Sequence, residues 1–182
     1  MITLDPFVKW NRGILARIPA ADFDWIVETV ARWRADGVRW VFVQCEIPAV
    51  GPNRANGTSA LLLENGQKLL DVLADVGADL LLAAEFHADT THTNGGSTPM
   101  QVVHGGRHTR TSWLTIDVFT DRLELTLRES VGSAEGSGLI WAPTSHRLNN
   151  RPIAGVPQVT GRAVVHADGR VSNRTGYLQE GI

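Results

Sequence analysis

Cysteine is almost absent from this chain. Cys45 is the single thiol in 182 residues, so no disulfide can close within it, and a reducing compartment is the simplest expectation. Charge of one sign is lacking too. A formal net charge of −2 is too small to imply a general electrostatic attraction to nucleic acid or to an anionic membrane, and it implies no basic partner. The N-terminal stretch "MITLDPFVKWNRG" has no apolar run long enough for a signal peptide or a membrane span, which makes the cytoplasm the expected location. There is no internal repeat, no low-complexity tract and no boundary between domains, so residues 1–182 read as one domain. With 43% hydrophobic and 20% charged residues, the chain can bury a sizeable core. Asn56 and Asn173 begin glycosylation-type triplets, which arise often by chance.

The segment "IPAADFDWIVETVARWRADG" puts Phe23, Ile26, Val27, Val30 and Trp33 on one helical face. Pro19 stands near its start, Asp22 and Asp24 suit the positive end of the helix dipole, and Gly37 suits its C-terminal cap. "VRWVFVQ", residues 38 to 44, is β-branched and aromatic, apolar enough for a strand covered on both faces. Pro48, Gly51, Pro52, Gly57 and Gly66 then mark a long loop. "QKLLDVLADVG" predicts a second helix, with Leu69, Leu73 and Val76 inward, and "ADLLLAA" a second buried strand. Shorter strands follow in "PMQVVHGG", "SWLTIDVF" and "DRLELTLRE", the last alternating apolar and polar residues. A hairpin turns at Asp168-Gly169, and residues 130 to 158 read as irregular.

Strands joined through a helix run parallel, and their C-terminal ends share the sheet edge at which ligands of open α/β sheets bind. Glu46 follows the first strand, and Glu85 and His87 follow the second, so three metal-ligating side chains are expected to converge there. The same residues equally suit solvated loop-end carboxylates and a histidine bonded to backbone. Asp89 and His92 continue the segment as further candidates, in the spacing Glu85-x-His87-x-Asp89-x-x-His92. "VVHGGRHTR" sets His104, Arg107, His108 and Arg110 around a glycine pair that could approach an anion. Trp25, Trp33, Trp40 and Trp113 lie in periodic or strand segments and are expected in the core. Cys45 is expected as a small buried residue rather than a nucleophile, and His146 and His166 have no nameable partner.

"WVFVQCEIPAVG", "QKLLDVLADVGADLLLAAEFH", "PMQVVHGG" and "SWLTIDVFTDRLELTLRE", in that order, resemble the C-terminal half of a calcineurin-like metallophosphoesterase over about residues 10–130. The resemblance implies an α/β fold: the C-terminal half of a four-layer α/β/β/α sandwich, with a parallel strand-helix-strand unit followed by antiparallel strands, and an irregular segment and hairpin over 131–182. In that family one strand ends in a Gly-His-x-Pro-like motif and a later one in Gly-His-x-His, both feeding a two-metal centre. Here the motifs read Cys45-Glu46-Ile47-Pro48 and Ala84-Glu85-Phe86-His87. His87 matches a ligand of one metal, and Glu46 and Glu85 stand where histidines would bind the other. The divalent ion implied is Mn, Mg, Fe, Zn or Ca, and carboxylates in place of imidazoles move preference towards Mn, Mg or Ca. The Gly-rich turn lies near the family's catalytic rim, which implies phosphate contact for His104, Arg107 and His108.

The family's other ligands and its leaving-group acid come from Asp-x-His, Gly-Asp and Gly-Asn-His motifs, and none of these strings occurs here. The expectation is a metal-dependent phosphate-ester hydrolase, incomplete or inactive as this chain alone. The alternative is a non-catalytic metal-binding or protein-interaction module of the same descent. The expected ligand is a phosphate-ester small molecule. Either self-association or a missing N-terminal half would cover the apolar surface that half a sandwich leaves open, unless the first 20 residues have rearranged to do so.

Overall fold

The computed structural model describes residues 1–10, 13–51, 64–84, 89–104, 110–131 and 157–179. It is a mixed α/β fold with two helices among these residues. Helix α1 (Ala20–Ala35) starts after Pro19 and carries Asp22 in its first turn and Arg32 and Arg34 in its last. It stops where Gly37, at φ +82°, donates to the Arg34 carbonyl. Phe23, Ile26 and Val30 are buried as the periodicity predicts. Trp25 and Val27 are not in the core: they are 47% and 43% exposed, because they lie roughly 100° round the helix from Ile26 on either side.

Strand β4 (Phe42–Cys45) is shorter than the 38–44 expected. The backbone before it is spoken for by other partners. Val38 donates to the Trp33 carbonyl, Arg34 takes the carbonyls of Val38 and Arg39, and the Val41 amide donates to Asp79 Oδ2 at 2.7 Å. Helix α2 (Gly66–Asp75) leads to β5 (Leu80–Ala83), which pairs with β4 in parallel, Phe42 opposite Leu80, as the crossover argument predicts. Two further strands complete the central sheet on that side: β7 (Ser97–His104), parallel to β5, and β6 (Asp89–Asn94), antiparallel to β7 at the edge. On the other edge β1 (Ile2–Leu4) pairs in parallel with β4, giving the order β1-β4-β5-β7-β6.

The second sheet is antiparallel, ordered β11-β10-β9-β8. It contains β8 (Arg110–Val118), β9 (Arg122–Val131), β10 (Gln158–His166) and β11 (Val171–Gly176). The β8–β9 pairing and the turn at Asp168-Gly169 match expectation. A small hairpin of β2 (Phe7–Trp10) and β3 (Gly13–Ala16) stands apart from both sheets.

Two cores flank the central sheet. Ile2, Val43, Cys45 and Leu81 pack on one face with Ile26, Val30, Leu69 and Leu73 of the helices. Leu80, Met100 and Val102 pack on the other with Leu123, Leu125, Ala163 and Val165 of the second sheet. The alternation of side chains along each strand makes this division: Leu81 points one way, Leu80 the other. No helix among the described residues is long and apolar enough to cross a membrane.

Candidate functional site

Beyond the carboxyl ends of β4, β5 and β7 lies a cleft of about 630 Å³. Gln44, Cys45 and Glu46 contribute from β4 and its following turn, Leu82 and Ala83 from β5 with Ala84 just after it, Val102 and His104 from β7, and Trp113, Leu114 and Ile116 from β8. The cleft opens where the helix-free face of the central sheet meets the second sheet. This is the edge that strand direction alone marks for ligand binding.

Glu46 is exposed at the cleft. Its carbonyl accepts the Ala84 amide at 2.9 Å, so the turn after β4 is tied to the residue that follows β5. The Glu46 turn is held from the far side by Gln101, which is 1% exposed. Gln101 Oε1 accepts the amides of Ala49 and Val50 at 2.8 and 3.2 Å, and its Nε2 donates to the Val50 carbonyl at 2.9 Å. Helix α2 closes on the same turn: a Cβ on Gly66 would lie 1.7 Å from the Ala49 carbonyl oxygen. Gln101 escaped the sequence reading. Its signal was a lone polar residue inside the apolar run "PMQVV".

His104 and Asp89 face each other across the β6–β7 ladder. His104 Nδ1 donates to Asp89 Oδ1 at 2.7 Å and Nε2 to the Ser112 carbonyl of β8 at 3.2 Å. A carboxylate and a carbonyl are both acceptors, so only the doubly protonated ring satisfies both bonds. The Asp89 hydrogen bond accordingly raises His104 above the usual histidine range; partial burial opposes this, and the charges of Asp89 and Glu129 and the Ser112 carbonyl reinforce it. The Asp89 side chain is 2% exposed and that of His104 26%.

The strand geometry separates Asp89 from His92, three positions on and therefore on the opposite face of the sheet. Burial pushes the Cys45 thiol up to about 11, with the nearby charges of Glu46 and Asp5 acting in the same direction and a backbone bond to Ile47 against, which suits a packing residue. Trp113 lines the cleft, while Trp40 donates its ring N–H to the Phe119 carbonyl at 2.8 Å. Glu85, His87, Arg107 and His108 lie outside the described residues, as do His146 and most of the segment read as irregular. Among the described residues no group of three His, Cys, Asp or Glu side chains is placed to hold a metal. Neither the scan against protein-family models nor the search of curated proteins gives a match.

Proposed function

We propose that this cleft is a phosphate-ester site of the calcineurin-like phosphoesterase type, with a divalent ion held by Glu46, Glu85 and His87. The observation that carries the reading is the bond from the Ala84 amide to the Glu46 carbonyl, which ties the Glu46 turn to the residue that precedes Glu85 in sequence, both at the cleft. The layer order supports it: helices, a largely parallel sheet, then an antiparallel sheet correspond to three of that fold's four layers.

Glu46 offers an exposed hard oxygen donor, whereas Asp89 and His104 are engaged with each other, so the rest of the coordination shell falls to Glu85 and His87. An ion there would supply a more acidic bound water and an electrophile for the phosphate oxygens. The absence of the Asp-x-His, Gly-Asp and Gly-Asn-His strings favours a second reading, a metal-binding module without turnover.

Calorimetric titration with Mn²⁺, paired with an assay of p-nitrophenyl phosphate hydrolysis, separates the two. Binding that Glu46→Ala and His87→Ala each weaken at least about tenfold, the low end of what loss of even an outer-shell partner costs, together with turnover, supports the hydrolase. The same binding without turnover supports the module. Binding insensitive to both substitutions removes the metal site.

A further inference from the structure

We propose that the cleft selects phosphate monoesters of a compact apolar alcohol, about one aromatic ring in size, by laying the ring across Leu82 and Val102 under the flank of β8. The inference rests on the phosphate-ester reading above and names its substrate class.

The floor of the cleft is two rows of side chains on one face of the central sheet. Register sets the inner row, since Gln44 pairs with Leu82 and Leu82 with Val102. The alternation of side chains continues this face two residues on, at Glu46, Ala84 and His104, and both rows line the cleft. The outer row, at the carboxyl edge, is polar at its two ends with the small Ala84 between them. The inner row is apolar apart from Gln44, which is exposed at its flank. Two residue rises separate the rows, roughly 6.6 Å. A phosphate on the outer row, at the ion proposed beside Glu46, therefore sets a group the length of a benzyl on the inner row.

Strand β8 roofs that inner row. His104, at the carboxyl end of β7, holds the Ser112 carbonyl, and the ring N–H of Trp40, two residues before β4, holds the Phe119 carbonyl just after β8. The strand thus crosses the sheet obliquely, from the carboxyl end of β7 to the amino end of β4, and leaves a corner open over the carboxyl ends of β4 and β5. Leu114 and Ile116 lie between the two pins and line that corner. They and Leu82 pack against the sheet-side core but are only partly buried by it. Apolar surface left wet beside a polar row is what a ligand with a charged head and an apolar body covers on binding. Because β8 is pinned at both ends, it closes the inner end of the cleft, which admits one ring and stops a long chain.

Calorimetric titration of the full chain with phosphonates, which resist hydrolysis, in the presence of Mn²⁺ tests this apart from turnover. Benzylphosphonate is expected to bind about 10- to 100-fold more tightly than methylphosphonate, the usual worth of burying one aromatic side chain, and octylphosphonate no more tightly than benzylphosphonate. Ile116→Asn and Leu82→Asn are each expected to lower the benzyl-to-methyl ratio at least about fivefold. Val118→Ser, on β8 but 58% exposed and outside the cleft lining, is expected to keep it. A ratio near one in the unsubstituted protein, which needs no variant to fold, overturns the inference and leaves the phosphate-ester reading intact. So does a loss in Ile116→Asn and Leu82→Asn that falls equally on both phosphonates. Octylphosphonate binding at least about tenfold more tightly than benzylphosphonate assigns a lipid-like ester and overturns the compact class. Benzyl alcohol binding as tightly as benzylphosphonate, or no binding of either phosphonate with Mn²⁺ present, overturns both this inference and the reading beneath it.

Discussion

His104 shows how much one ring can fix. Its bonds to Asp89 and Ser112 join two strands of the central sheet to the second sheet, and only the protonated ring makes the two together. Because its value in the folded protein is raised above the ordinary 6.5, the stabilisation is fully present below pH 6.5 and is lost as pH rises through the raised value. His104→Gln should therefore cost about 1.5–3 kcal/mol, the usual worth of a hydrogen bond to a charged group, in mildly acidic buffer, with the difference shrinking in alkaline buffer. Urea unfolding of both proteins across that range checks the sign. Asp79 is the other residue with several duties: burial raises its carboxyl, while the Val41 amide and the Arg34 guanidinium, at 2.7 and 3.2 Å, act against that rise. Asp79→Ala should cost about 1–3 kcal/mol in the same unfolding measurement by leaving the Val41 N–H buried without its acceptor.

At the scale of elements, the Glu46 turn depends on two neighbours that touch no ligand. Gly66→Ala forces a methyl group against the Ala49 carbonyl, and a shift of α2 or of the turn should cost about 3 kcal/mol. Gln101→Leu leaves two amides and a carbonyl of Ala49 and Val50 without their partner, and should both destabilise the fold and weaken Mn²⁺ binding through Glu46. Calorimetry on Gln101→Leu checks the second effect. The elements that could be read from sequence are those whose cause is local. Helix α1, helix α2 and the β4–β5 pair declare themselves through periodicity, caps and continuous apolar runs. Strand β6 does not, since "DTTHTN" contains no apolar residue. Its buried threonines are satisfied from far along the chain: Thr91 donates to the Gln179 carbonyl, and Arg174 donates to the hydroxyls of Thr91 and Thr93. A local window cannot see those partners. The candidate site divides in the same way. Glu46 is legible as the residue after a buried strand, whereas the Asp89–His104 pair depends on the register between β6 and β7.

Across the whole molecule, one sheet separates two cores, and the chain's distant parts meet on it. The N-terminal strand β1 lies beside β4, and the C-terminal strands β10 and β11 extend the sheet that covers the opposite face. Leu81→Ala opens the helix-side core and Leu125→Ala the sheet-side core, each at an expected cost of about 2–5 kcal/mol. Only the second should alter the cleft, because Leu82, Leu114 and Ile116 of the cleft wall pack against that core. The central claim is that the cleft at the carboxyl edge is a metal and phosphate-ester site. The most direct measurement is anomalous scattering from a crystal of the full chain soaked in Mn²⁺. The account predicts a peak in this cleft, within direct coordination distance of a Glu46 carboxylate oxygen, about 2.0–2.6 Å. A cleft without a peak at millimolar Mn²⁺, or a peak bound elsewhere on the protein, would contradict it.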